Sequence, residues 1–141
     1  MRDFFDTSVL VPVFWGGHIH HSRSLERFAA ADKNRSCCGL HSLAELYAVM
    51  TALPVRPVIP PEQVLLFVEE IRKRLTLISL NSEEYSTAIS RVAALGYSGG
   101  RVYDGILLAC AIKSKAETIY TWNLRHYQGL APEISSKMMT P

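Results

Sequence analysis

The chain is short of cysteine, of excess charge of either sign and of long apolar runs, and each shortage closes off a class of protein. Only three cysteines occur among 141 residues. Cys37 and Cys38 are adjacent and poorly placed to bridge each other, and Cys110 sits in an apolar run. An odd count at such positions excludes a disulfide scaffold, reads as reduced core thiols and favours a cytoplasmic compartment. No CxxC pair or Cys/His spacing marks a structural zinc site. The net charge is only +2, so bulk electrostatics holds no partner and anion binding must arise from local patches. No stretch nears the roughly 20 apolar residues that span a bilayer. Arg2, Asp3 and Asp6 interrupt the opening before a leader's apolar core can form. A soluble chain with no membrane partner is expected. Repeats, low-complexity tracts and linker-like segments are absent as well.

What is present suits one folded unit. The apolar share is 48% against 20% charged, enough at this length to bury a core, and residues 1–141 read as a single domain. Short apolar runs alternate with longer periodic segments. Phe4-Phe5 begins a strand that stops at Asp6-Thr7-Ser8, followed by a helix from about Ser8 to Phe14 that breaks at Gly16-Gly17. A second helix, His20 to Lys33, is expected to carry Leu25, Phe28 and Ala29 on one face. Ser36-Cys37-Cys38 reads as a buried strand and His41 to about Leu53 as a helix. Pro54, Pro57, Pro60 and Pro61 punctuate a loop, and Pro61 or Glu62 opens a helix that repeats Val64, Leu65, Val68 and Ile71. Leu75 to Leu80 reads as a strand. Asn81 or Ser82 then caps a helix to about Leu95, with Glu83 and Glu84 in its first turn. Beyond Gly96 and Ser98-Gly99-Gly100 come a helix from Val102 to Lys115, a strand from Thr118 to Thr121 and an edge strand within Lys137 to Thr140. Strands separated by helices predict an α/β fold, a three-layer α/β/α sandwich around a mostly parallel sheet. Ligands then bind at the edge where strand C-termini meet helix N-termini.

Four polar residues fall toward that edge. Asp6 ends the first strand, where a helix N-cap explains it as readily as chemistry does. Glu45 is the only carboxylate of its helix, whose Leu43, Leu46, Tyr47 and Met50 stripe faces away from Ala48, Val49 and Ala52. Such a helix is apolar nearly all round and is expected to be buried. A buried carboxylate needs a partner or a metal; an exposed strip is the alternative. Asp104 is the only charged side chain between Val102 and Ile112, in a first turn where the helix dipole favours an anion. Asn123 follows a strand, ordinarily a turn position. One sheet edge can collect all four. Three carboxylates about 5 Å apart would repel by roughly 3 kcal/mol per pair at an effective dielectric near 20, a large share of a total stability of about 5–15 kcal/mol. A cation is therefore expected, and oxygen-only ligands suit Mg²⁺, with Mn²⁺ as the alternative.

Five segments, taken in order, resemble one known family. They are Asp6-Thr7-Ser8-Val9-Leu10; His41-Ser42-Leu43-Ala44-Glu45 with Tyr47 and the Thr51-Ala52-Leu53-Pro54 step; Tyr103-Asp104-Gly105; Thr121-Trp122-Asn123; and Met138-Met139-Thr140-Pro141. Their order and spacing resemble the PIN-domain ribonucleases, and within them the VapC toxins of bacterial toxin–antitoxin pairs, over essentially the whole chain. The resemblance implies a PIN-like fold and Mg²⁺- or Mn²⁺-dependent endonucleolytic hydrolysis of RNA by metal-activated water. It implies Asp6 and Asp104 as direct metal ligands. Glu45 is assigned to the metal through water or to orienting the attacking water, and Asn123 to completing the site or positioning the nucleophile. Thr7, Ser8 and Thr121 would support these ligands, although hydroxyls at strand ends also serve as plain caps. A cognate antitoxin and a homodimer are the implied partners, with Phe14, Trp15 and Leu25 as the apolar surface for the antitoxin.

Two departures stand out. The fourth position is often Asp in the family; Asn123 offers a neutral oxygen and would hold a second metal less tightly. Gly105 stands where a small residue such as Ala is common, at a cost to helix stability. For gripping RNA, Arg101, Arg125 and His126 lie near the expected edge, with a solvated surface role an equal reading for the two arginines. Trp122 and Tyr127 are candidates for stacking on an unpaired base, core packing being preferred for Trp122. His18, His20 and His21 have no Cys or acidic partner at ligand spacing and read as solvated loop histidines, with RNA contact as the alternative. Two other functions compete. A non-catalytic PIN-like RNA-binding or regulatory module is kept open by Asn123. A phospho-acceptor domain using a strand-end Asp is weakened because no Lys directly follows the Thr118–Thr121 strand.

Overall fold

Phe4 and Phe5 point to opposite faces of one sheet, and that alternation organises the molecule. The computed structural model describes residues 1–141. Strands β1 (Asp3–Phe5), β2 (Ser36–Gly39), β3 (Thr76–Ile78), β4 (Thr118–Tyr120) and β5 (Met138–Met139) pair in the order β3-β2-β1-β4-β5. Every pairing is parallel. Phe4 lies in register with Cys37 and Ile119, and Phe5 with Cys38 and Tyr120. Side chains alternate along a strand, so the two sets face two different cores. Phe5, Cys38 and Tyr120 pack with Leu10, Phe28, Leu46, Met50, Val64 and Ile71. These come from α1 (Thr7–Val13), α2 (His21–Ala29), α3 (His41–Thr51) and α4 (Pro61–Arg74). Phe4, Cys37 and Ile119 pack with Val92, Leu107, Tyr127 and Leu130, from α5 (Ser82–Ala94), α6 (Arg101–Ser114) and α7 (Leu124–Leu130). This is the three-layer sandwich the alternation predicts, and covering both faces is what lets the strands be apolar on both sides.

The chain steps outward from β1 to β2 to β3, then crosses to β4 on the other flank of β1. The reversal opens a crevice at the C-terminal ends of β1 and β4, the usual ligand position in such sheets. Local signals set several boundaries. Pro61 stands at the start of α4, and Arg72, Lys73 and Arg74 occupy its last turn, where the dipole favours cations. Asn81 Oδ1 accepts from the Glu84 N–H at 2.8 Å and Glu84 Oε1 from the Asn81 N–H at 2.9 Å, a complete capping box for α5.

Other expectations need correction. Helix α2 ends at Ala29, and it turns Ser24 and Phe28 inward while Leu25 and Ala29 are exposed. Ser24 is tolerated inside because its hydroxyl accepts from Trp122 Nε1 at 2.9 Å. Helix α3 is not buried all round: Ser42, Leu46 and Met50 face in, whereas Tyr47, Ala48 and Val49 are exposed. Leu65 of α4 points outward beside Leu66. Helix α7 and the 3-10 turn over Pro132–Lys137 have no counterpart in the sequence reading. Seven residues are too few to form a helix on local preference; burial of Tyr127 and Leu130 holds α7 in place. No helix is long and apolar enough to cross a membrane.

Candidate active site

Asp6 leaves β1 at the crevice, almost wholly buried. It occupies the position before α1, yet its side chain makes no capping bond. Instead Oδ2 accepts from Ser8 Oγ at 2.7 Å and Thr121 Oγ1 at 2.8 Å, and Oδ1 from the Tyr127 hydroxyl at 2.5 Å. Three donors satisfy the oxygens of a carboxyl buried this deeply. The hydroxyls are themselves held: Ser8 Oγ accepts from the Trp122 N–H at 2.9 Å, and Thr121 Oγ1 from the Asn123 N–H at 3.0 Å. Thr7 Oγ1 donates to Glu45 Oε1 at 3.2 Å and lies 2.8 Å from Ser42 Oγ.

Helix α3 brings Glu45 to the same crevice, and the first turn of α6 brings Asp104. Their side chains are 25% and 18% exposed. Burial, and then the negative charge of Asp6, pushes the Glu45 carboxyl up to about 7; Asp104 adds to the shift and the Thr7 hydrogen bond opposes it. Burial and Asp6 likewise raise Asp104 to about 6, against the opposing pull of His126 and Arg101. Each carboxylate has a histidine at ion-pair distance, His41 Nε2 at 3.9 Å from Glu45 Oε1 and His126 Nδ1 at 3.7 Å from Asp104 Oδ2. The sequence assigns His41 no role beyond opening the helix and the family-like segment, although its position four residues before Glu45 puts both on one helix face.

Asp6, Glu45, Asp104 and Asn123 line one cleft of about 390 Å³, together with Thr7 and Ser8. The tight three-carboxylate cluster expected from the sequence does not form. No three His, Cys, Asp or Glu side chains are gathered closely enough to hold a metal ion by themselves. The donor set still fits Mg²⁺ or Mn²⁺. Mg²⁺ keeps several waters and takes one or two carboxylates together with substrate phosphate oxygens. Two carboxyls raised first by burial and then by a third negative charge mark a cleft where a cation would be favoured.

The flanking residues divide differently from expectation. Asn123 sits exposed at the cleft. Arg101 lies over the Tyr97 ring, 4.8 Å from its centroid, and Arg125 is exposed. Tyr127 is fully buried, so it holds Asp6 and is not available to stack on RNA. Trp122 is half-buried against the first core, as preferred for it, but its ring also forms part of the cleft wall. His18 and His20 are half-buried residues of the loop before α2 that line that wall too. His21 Nδ1 donates to the Pro12 carbonyl at 2.7 Å. Phe14 stacks on Phe67 at 4.7 Å and, like Trp15, packs against the core. Of the three residues assigned to a partner surface, Leu25 alone is exposed.

Comparison with known proteins bears on the family and the fold. The family model for the PIN domain matches residues 4–128. Ribonuclease VapC27 of Mycobacterium tuberculosis (strain ATCC 25618 / H37Rv) is 32% identical over 114 residues, which cover 79% of this chain and 78% of that protein. Among solved structures, Mycobacterium tuberculosis VapC20, described as a Sarcin-Ricin loop cleaving toxin, superposes with a TM-score of 0.70 at 14% identity. The match covers 86% of this chain and 90% of that one. VapBC2 from Rickettsia felis, solved on a DNA fragment from its promoter, gives a TM-score of 0.64 at 18% identity, covering 99% and 98% of the two chains. By sequence and by fold, this chain belongs to the PIN domain family, on its VapC branch.

Proposed function

We propose that this protein is a Mg²⁺- or Mn²⁺-dependent endoribonuclease, the toxin of a toxin–antitoxin pair. One observation carries the reading: Asp6, Glu45 and Asp104 line a single cleft at the sheet's switch point, and burial, then the charge of Asp6, raises the other two carboxyls. When bound, a divalent ion supplies Lewis-acid polarisation of the phosphodiester and lowers the pKa of water. Asp6, locked by three hydroxyl donors, and Asp104 are the residues that would hold it. Glu45 ionises at about 7, so near neutral pH its carboxylate can orient a water and take up the proton lost on attack. Asn123 offers an uncharged oxygen at the same cleft. Arg101 and Arg125 are the cations nearest in sequence to Asp104 and Asn123 for backbone phosphates.

Ribonuclease VapC27 supports RNA as the substrate, and the Rickettsia felis VapBC2 assembly supports an antitoxin as partner. The exposed Leu65 and Leu66 of α4, with Tyr47 and Val49 of α3, add apolar surface for the antitoxin or for a second copy of the chain. The competing reading, a non-catalytic RNA-binding module, draws on Asn123 and on the absence of a tight ligand triad. Incubating purified protein with RNA in Mg²⁺ and in EDTA, beside Asp6→Asn and Asp104→Asn, tests both. Cleavage is expected in Mg²⁺ alone and only with both acids intact. Cleavage that persists in EDTA, or in both variants, overturns the nuclease assignment to this cleft. RNA retained without cleavage favours the module.

A further inference from the structure

His18, His20 and Trp122 form an aromatic wall inside the cleft that holds the carboxylates. The His20 and Trp122 rings stack with centroids 3.6 Å apart and planes 8° from parallel. His18 stands 5.6 Å from His20, tilted by 37°, with Trp15 edge-on to it at 5.9 Å. We propose that His20 and Trp122, with His18 beside them, are a stacking subsite for an unpaired RNA base next to the carboxylates, an inference that rests on the ribonuclease reading above.

The wall is preassembled. Trp122 Nε1 donates to Ser24 Oγ at 2.9 Å, which fixes the indole plane. The Trp122 N–H donates to Ser8 Oγ, which in turn donates to Asp6 Oδ2, so one hydroxyl links the wall to the carboxylate. On the other side the His20 N–H donates to His18 Nδ1 at 3.0 Å, and His21 is bonded to the Pro12 carbonyl. The turn before them needs its glycine. A Cβ on Gly17 would lie 2.9 Å from the Trp15 ring, so its absence lets the loop lie on Trp15 and fold back over the cleft.

The chemistry of the wall points to a base rather than to an ion. Burial, with neighbouring His20 and His21, lowers the pKa of His18 and favours its neutral ring. Its Nδ1 is already engaged by a backbone N–H, and no metal-binding trio of ligands exists there. Flat aromatic faces beside a phosphate-handling site are how proteins hold single-stranded nucleic acid, every base offering a π-face. Such a wall excludes a base locked in a duplex, so the substrate class is an unpaired stretch of RNA.

The test uses the full chain carrying Trp15→Phe, which leaves Trp122 as the sole tryptophan, and Asp104→Asn to block cleavage. Titration with a single-stranded hexaribonucleotide is expected to quench Trp122 emission, while an RNA duplex leaves it unaltered. His20→Ala should weaken the oligonucleotide by about five- to a hundredfold, the usual effect of removing one stacking ring, and His20→Phe should restore most of it. In Mg²⁺, with Asp104 intact, His20→Ala should lower kcat/KM by a similar factor, mainly through KM. Should His20→Ala melt below the assay temperature, His20→Gln set against His20→Phe makes the same comparison. Cleavage by the parent protein with His20-independent quenching and KM overturns the subsite and leaves the ribonuclease reading intact. His20-dependent quenching without any cleavage overturns the ribonuclease reading and keeps the subsite. Absence of quenching by the single strand overturns the subsite.

Discussion

At the floor of the cleft the Tyr127 hydroxyl donates to Asp6 Oδ1 while Ser8 and Thr121 serve Oδ2. Burial, and then the charge of Asp6, holds the Tyr127 hydroxyl well above the ordinary tyrosine range, so it stays a donor at any working pH. Tyr127→Phe keeps the buried ring and removes only that donor. A hydrogen bond to a charged group contributes about 1.5–3 kcal/mol, and a loss of that order is expected in urea unfolding, together with slower RNA cleavage by a less tightly held Asp6. Unchanged unfolding and cleavage would show that Asp6 does not depend on it. Asp104 should behave in the opposite sense for stability. Its carboxyl ionises at about 6, so above that pH the folded chain carries an unfavourable charge. Asp104→Asn removes the charge, and without added metal it should stabilise the fold by about 1–3 kcal/mol near pH 8 while abolishing cleavage. A variant less stable than the parent under those conditions would contradict the electrostatic account.

Helices α5 and α6 touch through Gly105, where an added Cβ would come within 2.4 Å of Val92 Cγ2. Helix propensity alone makes Ala the better residue there, by about 1 kcal/mol, and the sequence reading treated Gly105 simply as a cost to the helix. Packing reverses that judgement, because a stiff β-branched Val92 cannot yield cheaply and overpacking costs about 1–3 kcal/mol. Gly105→Ala is therefore expected to lower the melting temperature, and Val92→Ala added to it to recover less than additive damage. Additive losses in that double-mutant cycle would dismiss the contact as the cause. Helix α7 shows the same dependence on neighbours. Its seven residues carry no strong local signal, yet Tyr127 and Leu130 enter the second core through it. Helix α3 errs in the other direction: its apolar residues run nearly all round, but packing on the sheet uses only one face.

The acids also set how the folded chain responds to pH. Glu45 moves from 4.5 to about 7 on folding, and Asp104 from 3.8 to about 6. The folded state thus binds these protons more tightly than the unfolded one, so their contribution is fully present below about pH 4 and is lost as pH rises through about 6 to 7. The metal-free protein should melt at progressively lower temperature across that window. Mg²⁺ should raise the melting temperature near pH 8, where the carboxylates are ionised, and do little near pH 5. An equal Mg²⁺ effect at both values, by scanning fluorimetry, would count against a metal held by these groups. Much of this arrangement is readable from residue order. Period and punctuation announce the alternating strands and helices, parallel order follows from their alternation, a strand end singles out Asp6, and lone acids in apolar segments single out Glu45 and Asp104. Contacts between residues far apart in the chain are not announced in that way. Thr121 and Tyr127 reach Asp6 across 115 and 121 residues, His18 and His20 are folded back onto the cleft, and α7 exists through burial alone. Local spacing records which side of an element is apolar. Which hydroxyl meets which carboxylate, and which apolar face stays uncovered, depends on long-range packing that no short window of residues contains.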